Sequence, residues 1–290
     1  MTPKTFKAEL ALIAITFIWG TTFPLTKFLG AMIDPVSLLF YRFALATLVL
    51  WGYLFWKRKD FFQGWKEGAI LGVLLWLVFI CQMVGLRDTT ASNSGFITGL
   101  FVLTVPLCGF LINRQAPTPM QSVGAVLALV GLWLITGGIT SANRGDIITL
   151  GTAVSSGFYI VLAEPYTRRV QDIIVLTFQQ FLICSFLSGF YAVATGLSFV
   201  IPNAMALFSG LYLTFFATLL CLLVQMWGQK HTTPIRATLI FALEPVIAAI
   251  LAWAFLGEIF SFTQAIGGML ILLAMVVAVL PVKKFKVVKS

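Results

Sequence analysis

The chain has 290 residues, of which 60% are hydrophobic and only 10% are charged, and its formal net charge is +9. Soluble domains carry about a quarter charged residues, so apolar side chains in this proportion cannot all be covered in one water-soluble core. The composition therefore excludes an ordinary soluble domain and predicts a protein whose surrounding solvent is lipid.

Ten apolar stretches of roughly 20 residues follow one another, and about 18 apolar residues are enough to cross the hydrocarbon core as a helix. Their continuous apolarity predicts helices and argues against a membrane barrel. The connecting loops are short, so we expect residues 1–290 to form a single all-α, polytopic integral membrane domain. The predicted spans are 8–29, 35–56, 68–86, 89–112, 120–136, 147–166, 173–197, 204–228, 233–256 and 262–280.

The basic residues lie mainly at the two ends of the chain and in the loops that follow even-numbered spans. They are Lys4, Lys7, Lys57, Arg58, Lys59, Lys66, Arg114, Arg168, Arg169, Lys230 and the tail lysines Lys283, Lys284, Lys286 and Lys289. The opposite loops offer only Lys27, Arg87 and Arg144. This asymmetry predicts that both termini face the cytoplasm from the cell inner membrane. It also explains the net charge without nucleic acid, so the lipid bilayer is the expected partner.

The sequence lacks the residue patterns of the common enzyme and metal sites. The one histidine, His231, is predicted in a loop, and there is no aspartate-rich metal cluster and no Gly-rich phosphate loop followed by lysine. The four cysteines all fall in apolar spans and read as small buried hydrophobes rather than as a disulfide framework. They are Cys81, Cys108, Cys184 and Cys221. We therefore predict no enzyme activity, no cofactor and no metal.

The two halves of the chain share sparse but regularly spaced residues. The pairs Thr89 and Thr232, Gln121 and Gln264, and Gly124 and Gly267 all have the same separation. This register predicts repeats over approximately 8–138 and 146–281. Each repeat holds five spans, an odd number, so the two copies have opposite orientations in the membrane, a recurring transporter design.

Several short motifs resemble those of one transporter family. They are Trp19, Gly20, Thr21, Thr22 and Phe23 in span one; Tyr41, Arg42 and Phe43 in span two; Ser94, Gly95, Phe96, Leu100 and Pro106 in span four; and Leu243, Glu244, Pro245, Leu256, Gly257, Glu258, Gln264, Ile266 and Gly267 in spans nine and ten. On these residues the whole chain is similar to the drug/metabolite transporter superfamily, in its ten-helix EamA-type branch. Arg114 departs from the pattern, because the family often has an acidic residue where helix four ends.

The resemblance implies export of a small molecule (an amino acid, another metabolite or a drug) through a central cavity. It also implies substrate contacts from spans one, three, four, six, eight and nine. Without a phosphate loop, transport must use the gradient of the substrate or of a coupled proton. A channel or passive pore for small solutes is the alternative function, which inverted repeats disfavour because they suit alternating access. Oligomeric state and substrate identity stay open.

Two glutamates are candidates for substrate binding and proton coupling. An ionisable side chain at membrane depth costs at least ~2.5 kcal/mol, so it is expected to be paired, hydrated or functional. Glu244 lies about half-way along span nine, directly before Pro245, which loosens the helix by removing a backbone donor. It is expected to bind a substrate amine or carry a proton, or else to be a protonated acid bonded to a neighbouring helix. Glu164 repeats the pattern near the end of span six, where an i,i+4 pair with Arg168 is the alternative.

The other candidates are one cation and several neutral polar or aromatic side chains. Arg42 cannot lose its charge at its depth in span two, so it is expected to bind a substrate carboxylate, lock helices together or extend to the interface. The neutral candidates for substrate binding are Trp19, Thr22, Gln82, Asn93, Tyr159 and Gln225. For any one of them, a hydrogen bond between helices is the alternative.

Overall fold

The structure is a computed structural model. All of the regular secondary structure in its described residues is helical. It describes residues 3–30, 32–89, 91–114, 116–137, 143–170, 172–244, 246–247, 250 and 261–279, without the side chains of 23–24, 27–28, 91–93, 136 and 278–279. Pro245, Glu258 and the four tail lysines, which the sequence analysis named, lie outside this description.

The helices follow the order of the predicted spans. They are α1 (Pro3–Gly30), α2 (Pro35–Trp56), α3 (Trp65–Asp88), α4 (Ala91–Gly99), α5 (Phe101–Asn113), α6 (Pro119–Thr136), α7 (Arg144–Val170), α8 (Ile173–Ala194), α9 (Ala204–Tyr212), a π-helical segment (Leu213–Leu220), α10 (Cys221–His231), α11 (Pro234–Phe241) and α12 (Phe262–Val279). Within the described residues, six helical stretches are long and apolar enough to cross a membrane, and Pro119–Ile135 and Phe262–Val277 are shorter apolar helices. The count of ten spans stays a prediction.

Predicted spans four and eight are not continuous α-helices. Span four divides at Leu100 into α4 and α5, where Leu100 N donates to Ile97 O and Leu103 N to Leu100 O in tight i,i+3 turns. Span eight changes to π-helical geometry between Leu213 and Leu220. Apolar periodicity marks a span but does not specify these changes in hydrogen-bond pattern.

Several helices begin at side-chain caps that are visible in the sequence. Asp34 and Asp172 accept backbone N–H bonds at the starts of α2 and α8. Thr118 forms a capping box with Gln121 at the start of α6. These caps satisfy N–H groups that have no partner inside the helix, which is why the chain turns into each helix where it does.

Glycines bring several helix pairs into close contact. A Cβ on Gly131 of α6 would lie 2.6 Å from the carbonyl oxygen of Gly267 in α12, and a Cβ on Gly267 would lie 2.7 Å from that of Gly131. The amide of Gln264, near the start of α12, donates to the carbonyl of Ile135, near the end of α6. The two helices therefore run antiparallel, with backbone contact that only glycine permits.

The outside of the bundle is apolar. Along α2, Leu39 and Phe43 are buried, whereas Leu48, Trp51 and Phe55 are 60%, 50% and 67% exposed. Exposed side chains of this size would be unfavourable in water, so this surface suits a lipid environment.

Ionic contacts distinguish the two ends of the bundle. The Lys59 end contains the Lys59–Asp172 ion pair, where α2 ends and α8 begins. The Arg87 end contains the Arg87–Asp34 ion pair, where α3 ends and α2 begins. These two names are used below for the two ends.

Candidate functional site

A cavity of about 280 Å³ lies within the bundle. Its walls come from α1, α2, α3, α4, α5, α7, α10 and α11, together with Glu244 just beyond α11. The lining reaches the Arg87 end through Gly30, Pro35 and Arg87, and the Arg87 side chain is 38% exposed. The paired side chains of the Lys59 end are not part of the lining. The cavity thus extends from the middle of the bundle towards one end.

The structure brings the predicted substrate-binding side chains to this cavity. Its lining contains Trp19, Thr22, Arg42, Gln82, Tyr159, Gln225 and Glu244. The side chain of Asn93 lies outside the described residues. The residues therefore share one place, while their role in binding stays a prediction.

Arg42 is the buried cation of the cavity. The residue is 4% exposed, and both Nε and Nη2 donate to Thr218 Oγ1, at 3.0 and 2.9 Å. The guanidinium carbon also lies 5.3 Å from the centre of the Phe79 ring, close enough for a cation–π contact. None of the ion pairs among the described residues includes Arg42. Its charge is held in place by neutral groups, so the contact locks helices together and still leaves the charge available to an anion.

Glu244 is the carboxylate of the cavity wall. Helix α11 ends at Phe241, and Leu243 N donates to Ile240 O in a tight turn before Glu244. The helix is therefore interrupted at the position that the sequence analysis marked as loosened. None of the ion pairs among the described residues includes Glu244, so its carboxylate is not paired with Arg42.

Trp19 is fixed by contacts on two sides. Its indole N–H donates to Ala217 O at 2.9 Å, and its ring meets Phe241 edge-on at 5.5 Å between centroids. The ring therefore forms a rigid part of the cavity wall.

Tyr159 lines the cavity with a hydroxyl that is already engaged. The residue is 3% exposed, and its hydroxyl donates to Gln180 Oε1 at 2.8 Å. With its proton engaged there, the hydroxyl can still accept a hydrogen bond, but it donates to a substrate only if the bond to Gln180 breaks.

Glu164 differs from Glu244 in its surroundings. Its carboxylate pairs with Arg168 at 2.8 Å, four residues along the same helix, and it is absent from the cavity lining. The structure therefore shows the ion pair that the sequence analysis gave as the alternative for Glu164.

Sequence reasoning missed several polar side chains of the lining. Thr152 and Ser156 lie on the same face of α7 as Tyr159, at i, i+4 and i+7, and that spacing is the signal that could have found them. Thr98 of α4 also lines the cavity, and its hydroxyl is buried without a hydrogen-bond partner in the part of the chain that the structure describes. Such groups can hold water or a polar ligand.

These features define a class of protein: a helical membrane protein that encloses a cavity with charged and polar groups in its walls. The sequence model of the EamA-like transporter family matches this chain twice, over residues 6–137 and 143–280. The chain belongs to the EamA-like transporter family, and the resemblance found in its motifs is confirmed.

The relatives that this chain resembles in sequence are also named as transporters. An uncharacterized transporter of Archaeoglobus fulgidus is 34% identical over 96% of this chain and 88% of its own length. A transporter of Chlamydia trachomatis named for S-adenosylmethionine and S-adenosylhomocysteine is 23% identical over 84% of this chain and 80% of its own length. A solved crystal structure matches with a TM-score of 0.79 and 17% identity, over 94% of this chain and 97% of that one, which shows the fold alone.

Proposed function

We propose that this transporter exports a small zwitterionic metabolite, an amino acid with a large apolar side chain, by alternating access. The observation that carries the proposal is the presence of Arg42 and Glu244 in the walls of one cavity without an ion pair between them. A cation and a carboxylate are complementary to the carboxylate and ammonium of an amino acid. Arg42 would bind the substrate's carboxylate and Glu244 its ammonium group.

The rest of the cavity suits an apolar side chain. Phe79, Met83, Phe101 and Leu222 contribute apolar wall, which would cover a hydrocarbon or aromatic group. Drug-sized ligands occupy pockets of roughly 300 to 1,000 Å³. The cavity volume of about 280 Å³ is just below that range and favours a molecule of amino-acid size.

S-adenosylmethionine provides a second candidate substrate. It is the named cargo of a relative and contains the same amino-acid zwitterion. Its adenosyl group makes it much larger than a common amino acid, so the cavity volume favours the smaller molecule. A dissociation constant for S-adenosylmethionine, measured beside that for L-phenylalanine, distinguishes the two candidates.

The test uses ligands that lack one charge each. Dissociation constants of purified protein are measured calorimetrically for L-phenylalanine, its methyl ester and 3-phenylpropionate. The native protein should prefer L-phenylalanine over either analogue by roughly 10- to 100-fold, because a hydrogen bond to a charged group contributes about 1.5–3 kcal/mol. Arg42→Gln should abolish the preference over the ester, and Glu244→Gln the preference over the deaminated acid. Equal binding of all three ligands to the native protein would refute the zwitterion site.

Two inverted repeats would provide the alternating access. Support comes from the two family matches and from the antiparallel contact of α6 with α12. The capping bonds at the starts of these two helices are a third similarity. Ser261 and Gln264 exchange the same pair of capping bonds that Thr118 and Gln121 make. The expected repeats remain approximately 8–138 and 146–281, with the cavity between them.

Transport saturation would separate this mechanism from a channel. In liposomes, an alternating-access carrier shows a saturable rate and counterflow, whereas a passive pore shows neither. For coupling, Glu244 is the expected proton site, and Glu244→Gln should lose pH-dependent transport while still binding the substrate's carboxylate. Unchanged pH dependence in that variant would remove Glu244 from the coupling role.

The expected setting is the cell inner membrane, with both termini in the cytoplasm. On that topology the Lys59 end faces the cytoplasm and the Arg87 end faces outwards. The cavity then extends towards the outer face, as expected for a carrier in an outward-facing state.

A further inference from the structure

The π-helical segment is an unusual feature beside the cavity. It spans eight residues, Leu213–Leu220, between two α-helices. π-helical turns are rare, and those that do occur are frequently found at functional sites. One hydrogen bond marks the change in geometry: the Thr218 hydroxyl donates to the carbonyl of Leu213, five residues back, at 2.9 Å. The Thr214 hydroxyl, in contrast, donates to Gly210 O, four residues back, at 2.8 Å.

The segment contacts two side chains of the cavity wall. The carbonyl of Ala217 accepts the bond from the Trp19 indole, and the Thr218 hydroxyl accepts both bonds from Arg42. Thr218 itself is completely buried and is absent from the cavity lining. It therefore acts on the cavity only through Arg42.

The hydroxyl of Thr218 is committed as an acceptor towards Arg42. A hydroxyl has one proton and two lone pairs, and here the proton is directed to Leu213 O. Two guanidinium N–H groups then share the oxygen. In an ordinary α-helix the proton would point to a carbonyl four residues back, so the hydroxyl would take a different direction. The π geometry thus sets the orientation of the acceptor.

A neutral acceptor has a consequence that a carboxylate would not have. An aspartate at this position would orient Arg42 but would also neutralise its charge. Thr218 orients the guanidinium and leaves it cationic, with its other N–H groups available to a ligand.

We infer that Thr218, set by the π-helical segment, is a positioning residue that presents the Arg42 guanidinium to the anionic group of the substrate. This inference rests on the proposed function, since it needs a substrate carboxylate at Arg42. It assigns a role in substrate selection to a residue that does not line the cavity.

The test compares two buried threonines of the same segment. Thr218→Val removes the acceptor with little change in volume, Thr218→Ser retains it, and Thr214→Val removes a hydroxyl that does not contact Arg42. Thr218→Val should weaken L-phenylalanine binding about tenfold, because the substrate's carboxylate loses an oriented hydrogen bond from the Arg42 guanidinium. Binding of the methyl ester, which has no carboxylate, should change less than about twofold. Thr218→Ser and Thr214→Val should bind both ligands as the native protein does. If Thr218→Val does not fold, Thr218→Ala replaces it with the same expectation.

Arg42→Gln and the double variant make the outcomes distinguishable. In an Arg42→Gln background, Thr218→Val should have no further effect on the preference for L-phenylalanine over its methyl ester. If Arg42→Gln retains that preference, the proposed function is wrong. If Arg42→Gln loses it but Thr218→Val keeps it, or if Thr214→Val matches Thr218→Val, then the positioning role is overturned and the proposed function stands.

Discussion

The two ends of the bundle differ in how they are held. Among the described residues, the Lys59 end has four ion pairs: Lys59–Asp172, Arg169–Glu67, Arg236–Glu9 and Glu164–Arg168. The first three join the first predicted repeat to the second. The Arg87 end has Arg87–Asp34, which joins two helices of the first repeat. The cavity extends to the Arg87 end, where Thr89 of the first half donates to the Asp146 carboxylate of the second. It does not reach the Lys59 end, where three ion pairs join the two halves.

The contacts at the Lys59 end are individually weak but have the properties of a reversible closure. Exposed ion pairs contribute about 0.2–1 kcal/mol each, so together they can bias an equilibrium without locking it. The proposed alternating access requires this kind of balance, because each end would open in turn. The difference between the ends therefore predicts which substitutions change access to the cavity and which leave it unchanged.

The largest effect should be the difference in chemical access between two neighbouring glutamines of α10. Gln225 lines the cavity, whereas Gln229, one turn nearer the Lys59 end, is buried and absent from the lining. In a background with alanine at the four native cysteines, Gln225→Cys should react with a small maleimide at least about tenfold faster than Gln229→Cys, because thiol reactivity requires access. Mass spectrometry over time measures both rates. Equal rates would mean that the Lys59 end is as open as the Arg87 end.

A second, smaller effect should follow from breaking the least exposed ion pair between the halves. Glu9 accepts from Arg236 Nη1 at 3.0 Å and from Thr232 Oγ1 at 2.9 Å. Glu9→Gln retains an acceptor for Thr232 but removes the charge. It should shift the equilibrium towards opening of the Lys59 end by about 1 kcal/mol, or roughly fivefold. The labelling rate of Gln229→Cys measures this shift.

The matched control for Glu9→Gln lies at the Arg87 end. Asp34→Asn breaks the ion pair with Arg87 but keeps an N-cap for α2, since asparagine caps as well as aspartate. It should leave the labelling rate of Gln229→Cys unchanged, because that ion pair lies within one half. An increase as large as that from Glu9→Gln would show that the two ends are not held differently.

The smallest effect should be the pH dependence of the Lys59–Asp172 ion pair. Burial by itself raises the pKa of Asp172, but the hydrogen bond from Lys59 and the backbone N–H bonds from Val175 and Ile174 outweigh it, so the pKa lies below the ordinary value. The resulting stabilisation is present above the unfolded pKa of roughly 4 and is lost as the pH falls through the lower folded value. Asp172→Asn keeps the cap and removes this dependence.

Melting temperatures in detergent between roughly pH 3 and 7 measure this effect, since that range includes the ordinary aspartate pKa. At neutral pH the melting temperature of the native protein should be slightly higher than that of Asp172→Asn. The difference between the two melting temperatures should disappear in acid. A gap that does not change with pH would show that the ion pair contributes nothing to stability.

Much of the site could be predicted from residue type and depth alone. A charged side chain in an apolar span is costly, which singled out Arg42 and Glu244, and the structure places both in the cavity wall. Glu164 and Glu244 each precede a proline, but only Glu164 has an arginine, Arg168, four residues on, so the sequence already offered an ion pair as the alternative for Glu164. The structure shows that ion pair and leaves Glu164 out of the cavity lining.

Other contacts could not be predicted because they join segments that are distant in sequence. Arg42 and Thr218 are 176 positions apart, and Trp19 and Ala217 are 198 apart. Nothing in the apolar pattern of span eight marks the π geometry that brings the Thr218 hydroxyl to Arg42. Such contacts depend on how whole helices pack.

The sequence by itself determined the lipid environment, the order of the helices and several of their starts, because these depend on apolar length and on local caps. It also determined which side chains would be costly to bury. Only the tertiary structure decided that Arg42 and Glu244 share one cavity, that Glu164 does not line it, and that ion pairs join the two halves at one end. These features depend on helix packing, which close glycine contacts and the sum of many weak side-chain contacts set, and no local pattern encodes that sum.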